Sequence, residues 1–311
     1  MLAGVIGRRT LASTLHMTER VLRSETEFLK SQGLIDIDSS GMRVSESGQR
    51  LVQEMEPMIK QLFGLAELEA ELERRCGLKK VVIVPGDSDR SPIVKKELGR
   101  AGAALLRQVV SGEEVIAVTG GSTMAEVANG LTASSRFKRC CFVPARGGLG
   151  ETVELQANTI AATMAKRTGG HYRLLHVPDH LGEEAYHSLI QEPNIRELLE
   201  EIRKAKIVVH GIGDAMAMAA RRKVDQATIE SLKREGALAE AFGYYFDRNG
   251  HVVHKVPTVG LQLEDIRRTD CVIAIAGGTS KGEAIAAVLR HGHEHMLVTD
   301  EAAAEQLLEH L

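Results

Sequence analysis

A turn with two glycines and two hydroxyl side chains separates an apolar run from a helical pattern at residues 120–123. Glycines such as Gly121 let the backbone approach an anion closely, and the start of a helix offers unpaired N–H groups with a partial positive charge. The hydroxyls of Ser122 and Thr123 add donors. The turn therefore predicts a phosphate cradle, although a plain connection with a hydroxyl N-cap shows the same pattern.

Two further glycine-rich turns follow apolar runs and carry a cation. Residues 144–150 contain Arg146, whose guanidinium suits two-pronged phosphate contacts, and residues 276–284 repeat the glycine and hydroxyl pattern and add Lys281. Loops that follow parallel strands meet at one edge of a sheet, so these turns are expected to converge. Each cation alone is typical of solvated surface, but the three turns together predict a site for a phosphorylated small molecule.

The turns do not fit the nucleotide-binding fingerprints. No Gly-Lys-Ser/Thr follows residues 120–123 at P-loop spacing, and the full Gly-x-Gly-x-x-Gly pattern is missing there. We therefore predict a phosphorylated ligand without a nucleotide cofactor.

An enzyme is the main alternative. The Gly-Ile-Gly element at residues 211–213 is similar to one in sugar-phosphate deaminases, which follow it with an acid and a histidine that move protons. Here residues 215–218 are Ala-Met-Ala-Met, so the general acid–base pair is missing, and Asp214 fits a helix cap or a loop. We predict no catalytic residue, and a sugar-phosphate isomerase or deaminase stays the alternative function.

A metal site is a third interpretation. His291, His293 and His295 alternate, which can bring side chains to one face of an extended segment, but the spacing is not a closed zinc pattern and no cysteine accompanies it. A polar loop before a strand is the simpler explanation, and we predict no metal.

The elements that must position these turns form an α/β domain over residues 79–311. Apolar runs alternate with helical patterns, which predicts a doubly covered, mostly parallel sheet with ligands at the carboxyl ends of its strands. Residues 244–253 predict an added hairpin with Asn-Gly in its turn. The runs lie at residues 81–84, 115–118, 140–143, 174–177, 207–209, 271–275 and 296–298.

The first 54 residues predict a winged helix-turn-helix segment. A short helix over residues 8–15 precedes a longer one with Thr18 as N-cap and with Val21, Leu22, Phe28 and Leu29 on its packed face. Residues 33–45 then predict a hairpin around a Ser-Ser-Gly turn. Winged domains usually have another helix before these two, so we expect a unit that is incomplete at its start.

Such a helix fits the major groove of double-stranded operator DNA, where exposed arginines meet base edges or phosphates. Arg20 and Arg23 are the leading candidates on the longer helix. An ordinary solvated helix face would show the same arginines, but the hairpin that follows favours DNA. The complete set of predicted DNA-contact residues is Arg8, Arg9, Thr18, Arg20 and Arg23.

Composition limits the remaining function classes. The net charge of -3 means that any DNA contact comes from a local basic surface, and aromatic residues at 3% disfavour the stacking platforms of RNA-binding proteins. Four cysteines without a C-x-x-C pair predict reduced thiols, and no apolar run reaches transmembrane length, so we expect a cytoplasmic protein without a membrane partner. Residues 46–76 predict one or two amphipathic helices. We expect residues 55–78 to form a linker helix and the protein to form a homodimer or homotetramer.

The sequence resembles the SorC family of sugar-responsive transcription regulators. The resemblance runs from Gly-Arg-Arg at residues 7–9, through residues 34–37 and Gly-Met at 41–42, to Gly-Thr-Ser-Lys at 278–281. It implies an effector domain of the phosphosugar isomerase and deaminase type. It also implies repression of glycolytic genes, with fructose-1,6-bisphosphate or a related sugar phosphate as effector.

The resemblance also implies a set of effector contacts at the strand ends. Gln156, Arg221 and Glu240 rest on the resemblance alone, with Glu240 accepting sugar hydroxyls and Arg221 and Arg146 meeting phosphate. Without the resemblance these three would be helix-surface residues. The complete set is Gly121, Ser122, Thr123, Arg146, Gly148, Gly150, Gln156, Arg221, Glu240 and Lys281.

Overall fold

The computed structural model describes residues 5–15, 17–148, 152–178 and 183–311, without the side chains of Gln53, Glu56 and Glu183. The chain divides into two compact units, Met1–Glu67 and Leu68–Leu311.

The N-terminal unit has the predicted order of helix, turn, helix and hairpin. Its elements are α1 (Arg8–Thr14), α2 (Glu19–Ser31), β1 (Ile35–Asp38), β2 (Gly41–Val44) and α3 (Glu46–Leu62). The strands pair antiparallel, and Ile6 adds two backbone hydrogen bonds of 2.9 Å to Met42. Thr18 caps α2 as predicted, because its Oγ1 accepts a hydrogen bond from the N–H of Val21 at 3.3 Å.

The packed face of α2 differs from the prediction. Leu22 and Thr26 are buried, whereas Val21 and Phe28 are 48% and 60% exposed, so the prediction that these two residues pack was wrong. A spacing of four residues places Leu22 and Thr26 on one face of the helix. A buried threonine is tolerated there because its hydroxyl donates to the carbonyl of Leu22 at 2.9 Å.

The second unit alternates strands and helices. After the connecting helix α4 (Leu65–Cys76), which follows Gly64, its strands are β3 (Lys80–Val84), β4 (Val115–Val118), β5 (Cys141–Pro144), β6 (His171–Tyr172), β7 (Ile207–His210), β8 (Gly213–Asp214), β9 (Ala239–Ala241), β10 (Tyr244–Phe246), β11 (Val252–Lys255), β12 (Cys271–Ile275) and β13 (Met296–Asp300). Its helices are α5 (Pro92–Val109), α6 (Ser122–Gly130), α7 (Ala157–Thr168), α8 (Glu183–Gln191), α9 (Pro193–Ile202), α10 (Ala215–Arg221), α11 (Gln226–Arg234), α12 (Leu263–Ile266), α13 (Gly282–His291) and α14 (Glu301–Glu309).

Seven strands form one parallel sheet in the order β3-β13-β12-β7-β4-β5-β6. Consecutive residues of its central strands, such as Val208 with Val209 and Val272 with Ile273, are fully buried. Since successive side chains point to opposite faces, both faces are covered, which confirms the predicted sheet class. A second, antiparallel sheet has the order β11-β10-β9-β8 and contains the predicted hairpin.

The strand predicted at residues 174–177 was wrong. The sheet edge is instead formed by His171 and Tyr172, which pair with β5. The backbone of Leu175 is bound by the side chain of Asn158, which accepts from its N–H and donates to its carbonyl, each at 3.0 Å. The backbone of Leu175 is therefore paired with an amide side chain and not with a neighbouring strand.

Within the residues that the structure describes, no helix is both long and apolar enough to cross a bilayer.

Candidate functional site

The turn after β4 leads directly into α6 and opens outward. Gly121 has a φ of +118°, which favours glycine, and a Cβ built on it meets no atom within 4 Å. No described side chain caps α6, whose first residues are the exposed Ser122 and the half-buried Thr123. The first amides of α6 and two hydroxyls are therefore placed as an anion site requires.

The turn after β5 fixes the buried Arg146 at the same edge of the sheet. Its neighbour Gly147 donates to the carbonyl of Val259 at 2.9 Å, so the turn is paired with a second backbone segment. A Cβ on Gly148 would lie 3.8 Å from Oε1 of Gln156, which shows that these two predicted residues are neighbours. The predicted Gly150 lies outside the described residues.

The first two turns are connected through the residues that precede α7. The N–H of Gly121 donates to the carbonyl of Leu155 at 2.9 Å, directly before Gln156. The turns after β4 and β7 are also joined, because the N–H of Gly211 donates to the hydroxyl of Thr119 at 3.2 Å. The cradle, Gln156 and Gly148 thus form a continuous path along the sheet edge.

Glu240 on β9 is the centre of a buried charged cluster. Its Oε1 accepts from Nη1 of Arg146 at 3.1 Å, from Nη2 of Arg222 at 2.7 Å and from the N–H of Gly243 at 2.6 Å. The side chains of Arg146, Arg222 and Glu240 are only 8%, 1% and 6% exposed. Three donors hold this carboxylate in one orientation.

Lys281 lies in the same electrostatic environment. Burial lowers the pKa of its ammonium, the nearby carboxylates of Asp214, Asp89 and Glu240 oppose that shift, and the guanidinium of Arg221 adds to it. The half-buried Lys281 therefore shares Glu240 as a charged neighbour with Arg146. Arg146 and Lys281, which come from different loops, thus both interact electrostatically with Glu240.

The turn after β12 differs from the first cradle. Its amides are already bound by carboxylates, so the prediction that it repeats the design of the first turn was wrong. Gly278 donates to Asp300 at 2.7 Å, Thr279 to Asp87 at 3.2 Å and Ser280 to Asp89 at 2.8 Å.

Sequence reasoning selected Arg221 but missed Arg222. The structure places Arg221 on the surface and Arg222 in the buried cluster with Glu240. Both arginines stand at the end of α10, and neither composition nor spacing distinguishes which of two adjacent residues points inward. The position of Glu240 in the fold determines that Arg222, and not Arg221, points inward.

The predicted DNA-contact residues occupy the helical part of the N-terminal unit. Arg20 is exposed on α2, Arg23 donates to Glu27 at 2.9 Å, and Arg9 lies 3.6 Å from Glu19. Arg8 is half-buried, and Thr18 caps α2. Exposed ion pairs of this kind contribute about 0–1 kcal/mol, so a DNA phosphate can replace the carboxylate partner at low cost.

Asp214, which suggested an enzyme, and the three histidines, which suggested a metal site, have local structural roles. Asp214 caps α10, because its Oδ1 accepts from the N–H of Ala217 at 2.8 Å. Among the described side chains no group of three or more His, Cys, Asp or Glu could hold a metal ion. The three histidines have separate partners: His291 lies 2.9 Å from the carbonyl of Gly250, His293 accepts from Arg267 at 2.8 Å, and His295 accepts from the N–H of Val272 at 3.1 Å.

Comparison with known proteins identifies both units. A family described as a sugar-binding domain matches residues 60–309, and a family described as the CggR N-terminal DNA-binding domain matches residues 1–59. The central glycolytic genes regulator of Priestia megaterium is 53% identical over 304 residues, and that of Bacillus subtilis is 49% identical over 303 residues. Each alignment covers 97% of this chain and 89% of the relative.

Solved structures agree with this result. The crystal structure of a SorC family transcriptional regulator from Enterococcus faecalis matches with a TM-score of 0.73 and 45% identity, covering 78% of this chain and 99% of that chain. The full-length sorbitol operon regulator SorC from Klebsiella pneumoniae matches with a TM-score of 0.71 over 97% of this chain and 94% of that chain. At 18% identity, the second likeness shows the fold alone.

Proposed function

Because the chain belongs to the SorC family of sugar-binding transcriptional regulators, we propose that it represses glycolytic genes and that a phosphorylated sugar controls its binding to operator DNA. It is a transcription regulator and not an enzyme. We assign DNA binding to residues 1–54, the linker to 55–78 and effector binding to 79–311. The protein would act in the cytoplasm as a homodimer or homotetramer.

The observation that carries the effector proposal is the arrangement of Arg146, Glu240 and Lys281 beside the open cradle at Gly121. Amides, hydroxyls and cations bind phosphate, whereas a fixed carboxylate accepts hydrogen bonds from sugar hydroxyls. A phosphorylated sugar presents both kinds of group.

Two separate sets of donors support a bisphosphate. The amides of α6 with Ser122 and Thr123 form one set. We assign Arg146, Gly148 and Arg221 to the other. Fructose-1,6-bisphosphate carries one phosphate for each set and hydroxyls for Glu240. We propose it as the effector, with Gln156, Gly150 and Lys281 completing the contacts and without any cofactor.

In the N-terminal unit, α2 is proposed to enter the major groove with Arg20 and Arg23 facing the DNA. Arg8, Arg9 and Thr18 would contact the backbone at the start of the two helices. The effector can shift operator binding only through its different affinities for the two states, and a coupling of roughly 1–3 kcal/mol gives a useful response.

Thermal unfolding with different sugars tests the effector proposal. Fructose-1,6-bisphosphate at a hundredfold excess over its dissociation constant is expected to stabilise the protein by about 2.7 kcal/mol, because it binds only the folded state. Unphosphorylated fructose at the same concentration is the matched control and is expected to leave the transition unchanged. Fructose-6-phosphate measures what the second phosphate adds. If neither fructose-1,6-bisphosphate nor fructose-6-phosphate shifts the transition, the proposal is contradicted.

A further inference from the structure

Two arginines donate to the same oxygen of Glu240, and they come from different parts of the fold. Arg146 belongs to the glycine-rich turn at the edge of the parallel sheet, and Arg222 is the C-cap residue that directly follows α10 beside the antiparallel sheet. The contact to Arg222 is the shorter, at 2.7 Å against 3.1 Å, and the side chain of Arg222 is the more deeply buried of the two.

This sharing weakens each individual contact. A carboxylate oxygen that already accepts from one guanidinium and from the N–H of Gly243 attracts a further cation less strongly than an oxygen that is otherwise unoccupied. Arg222 therefore reduces the attraction that Glu240 exerts on Arg146. It also holds Glu240 in place when Arg146 moves.

We propose that Arg222 is a positioning residue for the effector site: by binding Oε1 of Glu240, it allows the guanidinium of Arg146 to turn toward an incoming sugar phosphate. This inference rests on the proposed function. Without Arg222, the buried Glu240 draws Arg146 more strongly, and the phosphate has to compete with that carboxylate for the same donors.

The test is a double-mutant cycle on the full chain, read out by equilibrium binding of fructose-1,6-bisphosphate. R146Q and R222Q are expected to weaken binding by about 30-fold and about tenfold, within the range of single charge-assisted contacts. The double variant R146Q/R222Q is expected to bind no more weakly than R146Q, because Arg222 acts through Arg146. R234Q, which alters an exposed arginine on α11, is the matched control and should bind like the wild type.

Independent losses that multiply in the double variant would overturn the inference, as would an R222Q affinity within twofold of the wild type. R222K keeps a cation beside Glu240 and is expected to regain most of the lost affinity. If R222Q does not fold, the cycle is made with R222M and R146Q, since methionine also removes the cation but keeps the apolar stem, and the same criterion applies. If the wild type binds no phosphorylated sugar, the proposed function fails together with this inference, whereas binding with additive losses rejects the role of Arg222 alone.

Discussion

Replacing Lys281 with methionine is expected to lower the affinity for fructose-1,6-bisphosphate by about 10- to 100-fold. Methionine keeps the length and the apolar burial of the stem but removes the ammonium, so the loss reports one charge-assisted contact to phosphate. Burial lowers the pKa of this ammonium in the free protein, and a phosphate dianion would compensate the charge there. Isothermal titration of the full chain measures the change.

K233M is the matched control, since Lys233 is an exposed lysine on α11 of the same unit. It should bind the bisphosphate like the wild type. An affinity of K281M within twofold of the wild type would show that Lys281 does not contact the ligand. Equal losses in K281M and K233M would instead indicate a general effect of net charge.

Replacing Asp300 with alanine is expected to destabilise the second unit by about 3–4 kcal/mol. The buried Asp300 caps α14 by accepting from Ala303, and it also accepts from Ser88 and Gly278 at 2.8 and 2.7 Å. Removing it leaves three backbone N–H groups without this acceptor, and each buried loss costs about 1–3 kcal/mol before relaxation and water entry. Urea unfolding followed by circular dichroism gives the free energy of unfolding.

The variant D225A separates the loss of a helix cap from the loss of the two loop contacts that Asp300 also makes. Asp225 caps α11 by accepting from Thr228, and it is exposed, so its loss is expected to destabilise the unit much less than D300A does. The difference between D300A and D225A then measures the two loop contacts that Asp300 adds. If both variants lose the same stability, Asp300 is only a helix cap, and the turn that carries Lys281 is held by other contacts.

The sheet was predictable because its central strands are buried on both faces and therefore read as continuous apolar runs. Val208 with Val209 and Val272 with Ile273 carry that signal in their composition. Thr18 was predictable as a cap for a similarly local reason, since a threonine before a helical pattern binds an amide three residues later.

The remaining differences come from contacts between distant parts of the chain. Two of the three carboxylates that occupy the turn before Lys281 lie more than 190 residues away, as Asp87 and Asp89 do from Thr279 and Ser280. The side chain of Asn158 likewise binds the backbone carbonyl of Leu175, at a position where the sequence predicted a strand. Neither spacing nor composition contains these partners.

The residue types at the candidate site are visible in the sequence, but the contacts between them are not. Glycines, hydroxyls and cations mark the turns, and Gly121, Arg146 and Lys281 follow from these types alone. The buried pairing of Glu240 with Arg222 depends on how α10 ends against the antiparallel sheet. A charged residue that becomes buried only through tertiary packing carries no periodic signal in the sequence.

Operator binding measured with and without fructose-1,6-bisphosphate tests the central claim most directly. An operator duplex selected by the protein from a random pool would be titrated with the wild type and with K281M. We expect the effector to lower the affinity of the wild type for DNA by about 5- to 150-fold, and K281M to bind DNA equally well but to respond only at much higher effector concentrations. An operator affinity that the bisphosphate leaves unchanged, or an unaltered response in K281M, would contradict the account.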